Sequence, residues 1–328
     1  MRIALTGASG HLGSALLQEI CKRNIPVNAL SRDEKAASLK DLPVEIVKGD
    51  LFDTGSLKKL MQDCDVLIHS AAVISVNGDP RGLVHRTNVE GTRSVIDIAR
   101  QAGVKRCIHI SSIHAYRQQP SSHILDEQRD PVDENAFAYD RSKLAGQQIA
   151  LDANGRGMET IVVNPTSIIG PHDFKPSLMG QVIIDLYRGR LPFIFNGGFD
   201  FCDCRDVANA ILNATTLGSP GESYLLGGKW HSLKQLVQMI SAVSAKNINV
   251  VALPAAAAKA GLPFVKALAS LQRKEPLYTR EALEALFNGN RCISSDKAKT
   301  ALNYTSRPLQ ETLQDTIQWF KNKGYLGY

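Results

Sequence analysis

The stretch MRIALTGASGHLGS, Met1 to Ser14, decides how the fold is read. A short apolar run from Arg2 to Leu5 breaks at Thr6-Gly7, glycines recur at Gly7, Gly10 and Gly13, and Leu12 to Ile20 continues with helical spacing. This reads as strand, glycine-rich turn and helix. Gly7 permits a tight turn, Gly10 lets backbone approach a ligand and Gly13 lets helix and strand pack closely. The free N–H groups and dipole of the helix N-terminus favour an anion. The expected ligand is a dinucleotide pyrophosphate held by Gly7, Ser9, Gly10, His11, Leu12 and Gly13. The spacing is GxxGxxG instead of GxGxxG, and the lack of a following Gly-Lys-Ser/Thr excludes a P-loop.

Outward from this unit the alternation repeats. Strands are expected at Val27–Leu30, Val44–Val47, Val66–His69, Cys107–Ile110 and Ile161–Val163, with helices at Leu57–Met61, Val89–Ala102 and Tyr139–Asp152 between them. Short, nearly continuous apolar strands alternating with helices imply an α/β fold, a Rossmann-type doubly wound parallel sheet covered on both faces. After Pro165 the chain turns to longer loops rich in glycine and proline, of the kind that carry substrate. Residues 1–165 therefore read as a dinucleotide-binding domain and 166–328 as a smaller, mainly helical substrate-binding region. Strands near 224–226 and 249–252 are expected to return to the first domain, and Ser232–Val243 and Ala255–Ala258 read as helix.

Composition narrows the class. The 328 residues carry 38 basic and 32 acidic side chains for a net charge of +6, with no basic run long enough for nucleic acid. Six cysteines show neither CxxC pairs nor a secreted disulfide framework and read as reduced core residues, with Cys202 and Cys204 on a strand. No histidine spacing suggests a metal site. Because a strand opens the sequence, no signal peptide is expected and the cytoplasm is the expected location. The apolar stretch Val250–Leu271 is interrupted by Pro254, Lys259, Pro263 and Lys266, which argues against a spanning helix and leaves it able to rest on a membrane or cover a pocket.

A second constellation carries chemistry. Ser111-Ser112 ends the Cys107–Ile110 strand, and Tyr139 and Lys143, four residues apart, share one face of the next helix. The carboxyl edge of a parallel sheet is where ligands bind, so Ser112 falls beside the glycine loop. Tyrosine, with pKa ~10, is a poor base at neutral pH, but an adjacent ammonium and a cationic nicotinamide ring favour phenolate. Tyr139 is then expected to exchange a proton with a carbonyl or hydroxyl oxygen during hydride transfer, with Lys143 tuning it and holding the ribose and Ser112 holding the reacting oxygen.

Together these segments resemble an extended short-chain dehydrogenase/reductase. The match runs through TGASGHLG at Thr6, Gly49-Asp50-Leu51, HSAA at His69, NVEGT at Asn88, SS at Ser111, YDRSK at Tyr139, NPTSIIGP at Asn164 and RDVANA at Arg205. SSDKAKTALNY from Ser294 and RPLQETLQDTIQWF from Arg307 extend it nearly to the end of the chain. The resemblance implies that Asp50 and Leu51 contact adenine, Ala71 and Ala72 line the diphosphate and ribose, and Pro165 lies beside the nicotinamide. It also implies a homodimer formed through the helices near Val89–Ala102 and Tyr139–Asp152.

Within that family the pattern is most similar to the dihydroflavonol-reductase-like and 3β-hydroxysteroid-dehydrogenase-like branch, including a helical Pro254–Leu277 insert. Relatives preferring NAD place an acid at the end of the second strand, whereas this chain reads Leu30-Ser31-Arg32. Arg32 can pair with a 2′-phosphate, so NADP is favoured, with Asp33 and Glu34 keeping NAD as the alternative. Leu178, Val182, Ile183, Leu186, Phe193, Ile194 and Phe195 suit a nonpolar pocket wall, several of them serving simply as core. The expected activity is an aldehyde or ketone reductase. The alternative is a nucleotide-sugar epimerase or dehydratase with bound NAD, and a non-catalytic nucleotide-binding protein is a third class.

Overall fold

The computed structural model describes residues 1–256 and 279–327. Seven strands form one wholly parallel sheet: β1 (Ile3–Thr6), β2 (Val27–Ser31), β3 (Glu45–Lys48), β4 (Val66–His69), β5 (Arg106–Ile110), β6 (Glu159–Pro165) and β10 (Ser223–Leu226). Their order is β10-β6-β5-β4-β1-β2-β3, so the winding reverses between β1 and β4. A crevice opens beyond the carboxyl ends of the strands at such a switch point.

The strands are apolar on both faces because helices cover both. Ile3 and Leu5 of β1 enter one core with Leu12, Leu16 and Ile20 of α1 (His11–Lys22) and Val207 and Ile211 of α7 (Cys204–Ala214). Ala4, one residue out of phase, enters the opposite core with Leu57 of α2 (Thr54–Met61), Val95 and Ala99 of α4 (Thr92–Gln101) and Ala150 of α5 (Ala138–Asp152). Asp53 fixes the start of α2 by accepting the Gly55 and Ser56 N–H groups.

A further core lies outside the sheet. It joins α6 (Leu178–Tyr187), α8 (Leu233–Ser244), α9 (Arg280–Asn288) and α11 (Leu309–Asn322) to β8 (Phe193–Phe195) and β9 (Gly198–Asp203). Ile183, Leu186, Ile194 and Phe195 are buried in this core, while Leu178 and Phe193 remain exposed. Arg205 connects the two regions, binding Asp203 at 2.7 Å and Asp315 of α11 at 2.6 Å.

Several sequence expectations are corrected. The strand at 249–252 does not return to the large sheet; it forms as β12 (Val251–Leu253) and pairs with β8. A short apolar run fixes an extended conformation without naming its partner. Cys204 opens helix α7 instead of continuing the strand of Cys202, because Asp203 caps that helix through the Arg205 N–H. Cys292 is exposed, unlike the buried Cys64, Cys107, Cys202 and Cys204. The expected helix from Val89 begins instead with a π-helical turn, Arg86–Gly91. The segments Ala255–Ala258, Val250–Leu271 and Pro254–Leu277, expected to be helical or apolar cover, fall mainly on residues 257–278, outside the described residues. No helix among the described residues is long and apolar enough to cross a membrane.

Candidate active site

Most expected site residues stand at the carboxyl ends of six parallel strands. The glycine loop follows β1, Arg32 follows β2, Asp50 and Leu51 follow β3, Ala71 and Ala72 follow β4, Ser112 follows β5, and Pro165 ends β6. Tyr139 and Lys143 come from the first turns of α5, which packs beside β5 and β6.

The glycine loop is shaped for a phosphate. Gly7 has φ +74°, and a Cβ there would lie 2.6 Å from the Ala71 nitrogen. A Cβ on Gly13 would lie 2.0 Å from the Gly7 carbonyl oxygen, so helix and strand touch through backbone. A Cβ on Gly10 would meet only the Gly7 oxygen, at 3.3 Å, leaving room beside it. Helix α1 has no side-chain cap at its N-terminus, so its first N–H groups are available to an anion. These features fit a dinucleotide pyrophosphate at Gly10 to Gly13. The His11 ring is 3.0 Å from the Pro171 carbonyl and couples this loop to the segment after β7 (Ser167–Ile169).

Ser112 precedes a single 3-10 turn, Ile113–Ala115, and its Oγ accepts the His114 N–H at 3.2 Å. The Ser112 hydroxyl also lies near the Tyr139 phenol and acts to lower its pKa. The Lys143 ammonium is buried and donates to the Ile110 carbonyl at 2.8 Å. Burial lowers its pKa to about 8. For Tyr139, burial dominates and raises the pKa to about 12, against the lowering effect of Ser112 and with a further push from Asp140. The expected lowering of the Tyr139 pKa is not reached in the chain alone, where burial raises it and the Lys143 ammonium is hydrogen-bonded to the Ile110 carbonyl. In the chain alone Tyr139 is a phenol, ready to donate a proton.

Residues that sequence reasoning missed fix this geometry. Asn88, in the π-helical turn, accepts the Val73 N–H at 2.8 Å and donates to the Ser142 hydroxyl at 2.9 Å. Ser142 in turn donates to the Tyr139 carbonyl at 2.7 Å, linking the exit of β4 to the start of α5. Asn164 donates to the Ser112 carbonyl at 3.0 Å and to Gln147 at 2.7 Å. Asn88 and Asn164 lay inside quoted motifs, but nothing in their spacing disclosed their partners. His114 and Asp140, hydrogen-bonded at 2.9 Å, also flank the site.

Beneath it, His69 is bonded on both sides, 2.7 Å from Thr6 and 3.0 Å from Thr92, while neither nitrogen of the neighbouring His109 has a partner. Burial, then Lys143, lowers the His69 pKa to about 3; burial, then His69 and Lys143, drives that of His109 well below the usual value. The unfolded chain therefore binds more protons below about pH 6.5, and the stability contributed by these neutral rings is complete above that pH and lost as pH falls. Each ring contributes about 1.4 kcal/mol per pH unit of that loss. The unfolding free energy from urea titration is expected to drop between about pH 6.5 and 5, and less steeply in His109→Leu. An unchanged slope in the variant would remove His109 as a source.

A glycine-rich loop at the switch point, with a Ser-Tyr-Lys group on the same sheet edge, defines a dinucleotide-dependent enzyme acting on a CH–OH or C=O group. The chain belongs to the NAD dependent epimerase/dehydratase family, whose model matches residues 3–227, within the extended short-chain dehydrogenase/reductases. It is 30% identical to the sterol demethylase protein B of Methylococcus capsulatus, covering 99% of this chain and 100% of that one. It is 31% identical to a Stigmatella aurantiaca ketoreductase named for 4-hydroxy-2-methyl-3-oxo-4-farnesyl-3,4-dihydroquinoline-1-oxide, covering 97% and 96%. The crystal structure of gox2253 superposes with a TM-score of 0.85 at 31% identity, covering 99% of each chain. The cofactor class is a nicotinamide dinucleotide.

Proposed function

We propose that the protein is an NADP-dependent reductase of small, fairly apolar ketones or aldehydes, with Ser112, Tyr139 and Lys143 as its catalytic residues. The observation that carries this reading is the protonated Tyr139 phenol near the Ser112 hydroxyl, on the same sheet edge as a glycine loop with room for a dinucleotide. The nicotinamide supplies or accepts hydride. Tyr139 donates its proton to the carbonyl oxygen as negative charge develops there, and Ser112 orients that oxygen. Lys143 holds the ribose side of the cofactor. Asp50, Leu51, Ala71, Ala72 and Pro165 complete the cofactor contacts. The names of the sterol and quinoline relatives support a polycyclic or otherwise apolar substrate.

The end of β2 supports NADP. Ser31 spends its hydroxyl on the Asp33 carbonyl at 2.7 Å, and Asp33 turns a carboxylate oxygen to the Lys35 N–H at 3.0 Å. Arg32 is exposed and has no partner among the described residues, leaving its guanidinium for a 2′-phosphate.

The deciding experiment is a screen of NADPH and NADH oxidation over aldehydes, ketosteroids, flavonoid ketones and nucleotide sugars. NADPH is expected to be preferred by at least about tenfold, with Arg32→Ser erasing most of that preference. Cofactor retained through purification, with turnover of nucleotide sugars in its absence from the buffer, would establish epimerase chemistry instead. We also propose a cytoplasmic homodimer joined through the adjacent helices α4 and α5. Sedimentation as a monomer at micromolar concentration would exclude the dimer.

A further inference from the structure

We propose that His69 is a positioning residue for the dinucleotide turn: fixed as the Nε2–H tautomer, it accepts from Thr6 and donates to Thr92, tying the turn after β1 to the π-helical turn that supports α5. This rests on the reading of the Gly7–Gly13 loop as the cofactor site.

The sheet register brings the first two side chains together. Thr6 ends β1 and His69 ends β4, and the two are direct partners in the parallel ladder. They lie on the face covered by α4, where Thr92 opens that helix. Thr6, His69 and Thr92 are each at most 1% exposed, so their polar atoms must find partners inside the protein.

The partners settle which nitrogen of His69 carries the proton. The Thr92 hydroxyl donates to the Asn88 carbonyl at 2.7 Å, and a carbonyl can only accept. That spends the one hydroxyl proton. Thr92 Oγ1, 3.0 Å from His69 Nε2, must therefore accept from the ring. With its proton at Nε2, the neutral ring presents a lone pair at Nδ1, and the Thr6 hydroxyl 2.7 Å away donates to it. Burial, then Lys143, keeps the ring neutral, with its pKa lowered to about 3.

The resulting chain runs in one direction and has both ends in the site. At its start the Ala71 N–H donates to Thr6 Oγ1 at 3.3 Å, and Ala71 is also the residue against which Gly7 packs without room for a Cβ. At its end stands Asn88, whose side chain holds Val73 and Ser142. Hydrogen bonds aligned head to tail polarise one another, and a buried group left without its partner is costly. His109, the ladder partner of His69 on β5, has the same ring and the same burial but no hydrogen bond on either nitrogen, so it ties nothing together.

The test measures NADP affinity by calorimetry in variants that do not touch the cofactor. Thr92→Val keeps the shape and removes the hydroxyl, and is expected to weaken NADP binding by about fivefold, the scale of one buried hydrogen bond. Thr92→Ser restores the hydroxyl and should bind within about twofold of the unaltered protein. Because both threonines act through one ring, Thr6→Val combined with Thr92→Val should weaken binding by less than the product of the two single effects. Val95→Ala removes buried volume from the same helix without entering the chain of hydrogen bonds; its melting temperature should fall while its NADP affinity holds. Nitrogen NMR of histidine-labelled unaltered protein needs no variant and should show the His69 proton on Nε2 with none on Nδ1. A proton on Nδ1, unchanged affinity in Thr92→Val, fully multiplicative effects in the double variant, or equal weakening by Val95→Ala would each overturn the inference. Failure of the unaltered protein to bind either dinucleotide would instead overturn the reading of the glycine loop, and this inference with it.

Discussion

Tyr139→Phe is expected to lower kcat by about a thousandfold while leaving the dissociation constant for NADP within about twofold. The substitution removes one oxygen and keeps the ring. That ring is packed against His114 and carried on a helix whose start is tied down by Ser142 and Asn88, so its surroundings persist. What disappears is the proton donor near the Ser112 hydroxyl. Burial keeps the phenol protonated up to about pH 12 in the chain alone, so in the reductive direction the donor is fully charged with its proton at neutral pH. Single-turnover measurement of NADPH oxidation, beside calorimetric titration of NADP, separates the two effects. Turnover unchanged by Tyr139→Phe would exclude the proposed mechanism.

The second large effect lies in the glycine loop, where two glycines with similar sequence surroundings should respond differently. Gly13→Ala places a methyl carbon 2.0 Å from the Gly7 oxygen and 2.8 Å from its carbonyl carbon, atoms of backbone that have nowhere to retreat. Helix α1 must move off β1, at an expected cost of about 3 kcal/mol in stability and with loss of dinucleotide binding. Gly10→Ala meets only the Gly7 oxygen, at 3.3 Å, so its melting temperature should stay close to that of the parent. Its added methyl instead occupies space beside the helix N-terminus where the pyrophosphate is expected, and should weaken NADP binding by at least about tenfold. Thermal melts and calorimetry on both variants check the contrast. Equal melting temperatures for the two would show that Gly13 does not set the helix–strand contact.

The repeating order of strands and helices was legible because each element carries its own period. Apolar runs at β1, β4, β5 and β6 and amphipathic spacing in α1 are local properties of the chain. The parallel sheet follows from them, since strands apolar on both faces need helices on both. The positions of Ser112, Tyr139 and Lys143 were equally legible, because strand ends and one helix face can be counted along the sequence. The partner of Val251–Leu253 was not, since pairing with Phe193–Phe195 depends on where two distant segments meet.

By itself, then, the sequence determined the alternating elements, the phosphate turn at Gly7 to Gly13 and the three side chains of the candidate catalytic group. Only the tertiary structure decided their electrostatics and supports. Lys143 could be read as the group that would make Tyr139 acidic, yet folding directs its ammonium to the Ile110 carbonyl and leaves burial to raise the tyrosine's pKa. Likewise Asn88, Asn164, His114 and Asp140 acquire their roles from partners up to 54 residues away. Periodicity is a property of neighbours along the chain, whereas desolvation and hydrogen-bond partnership depend on everything packed around an atom, which exists only once the chain has folded.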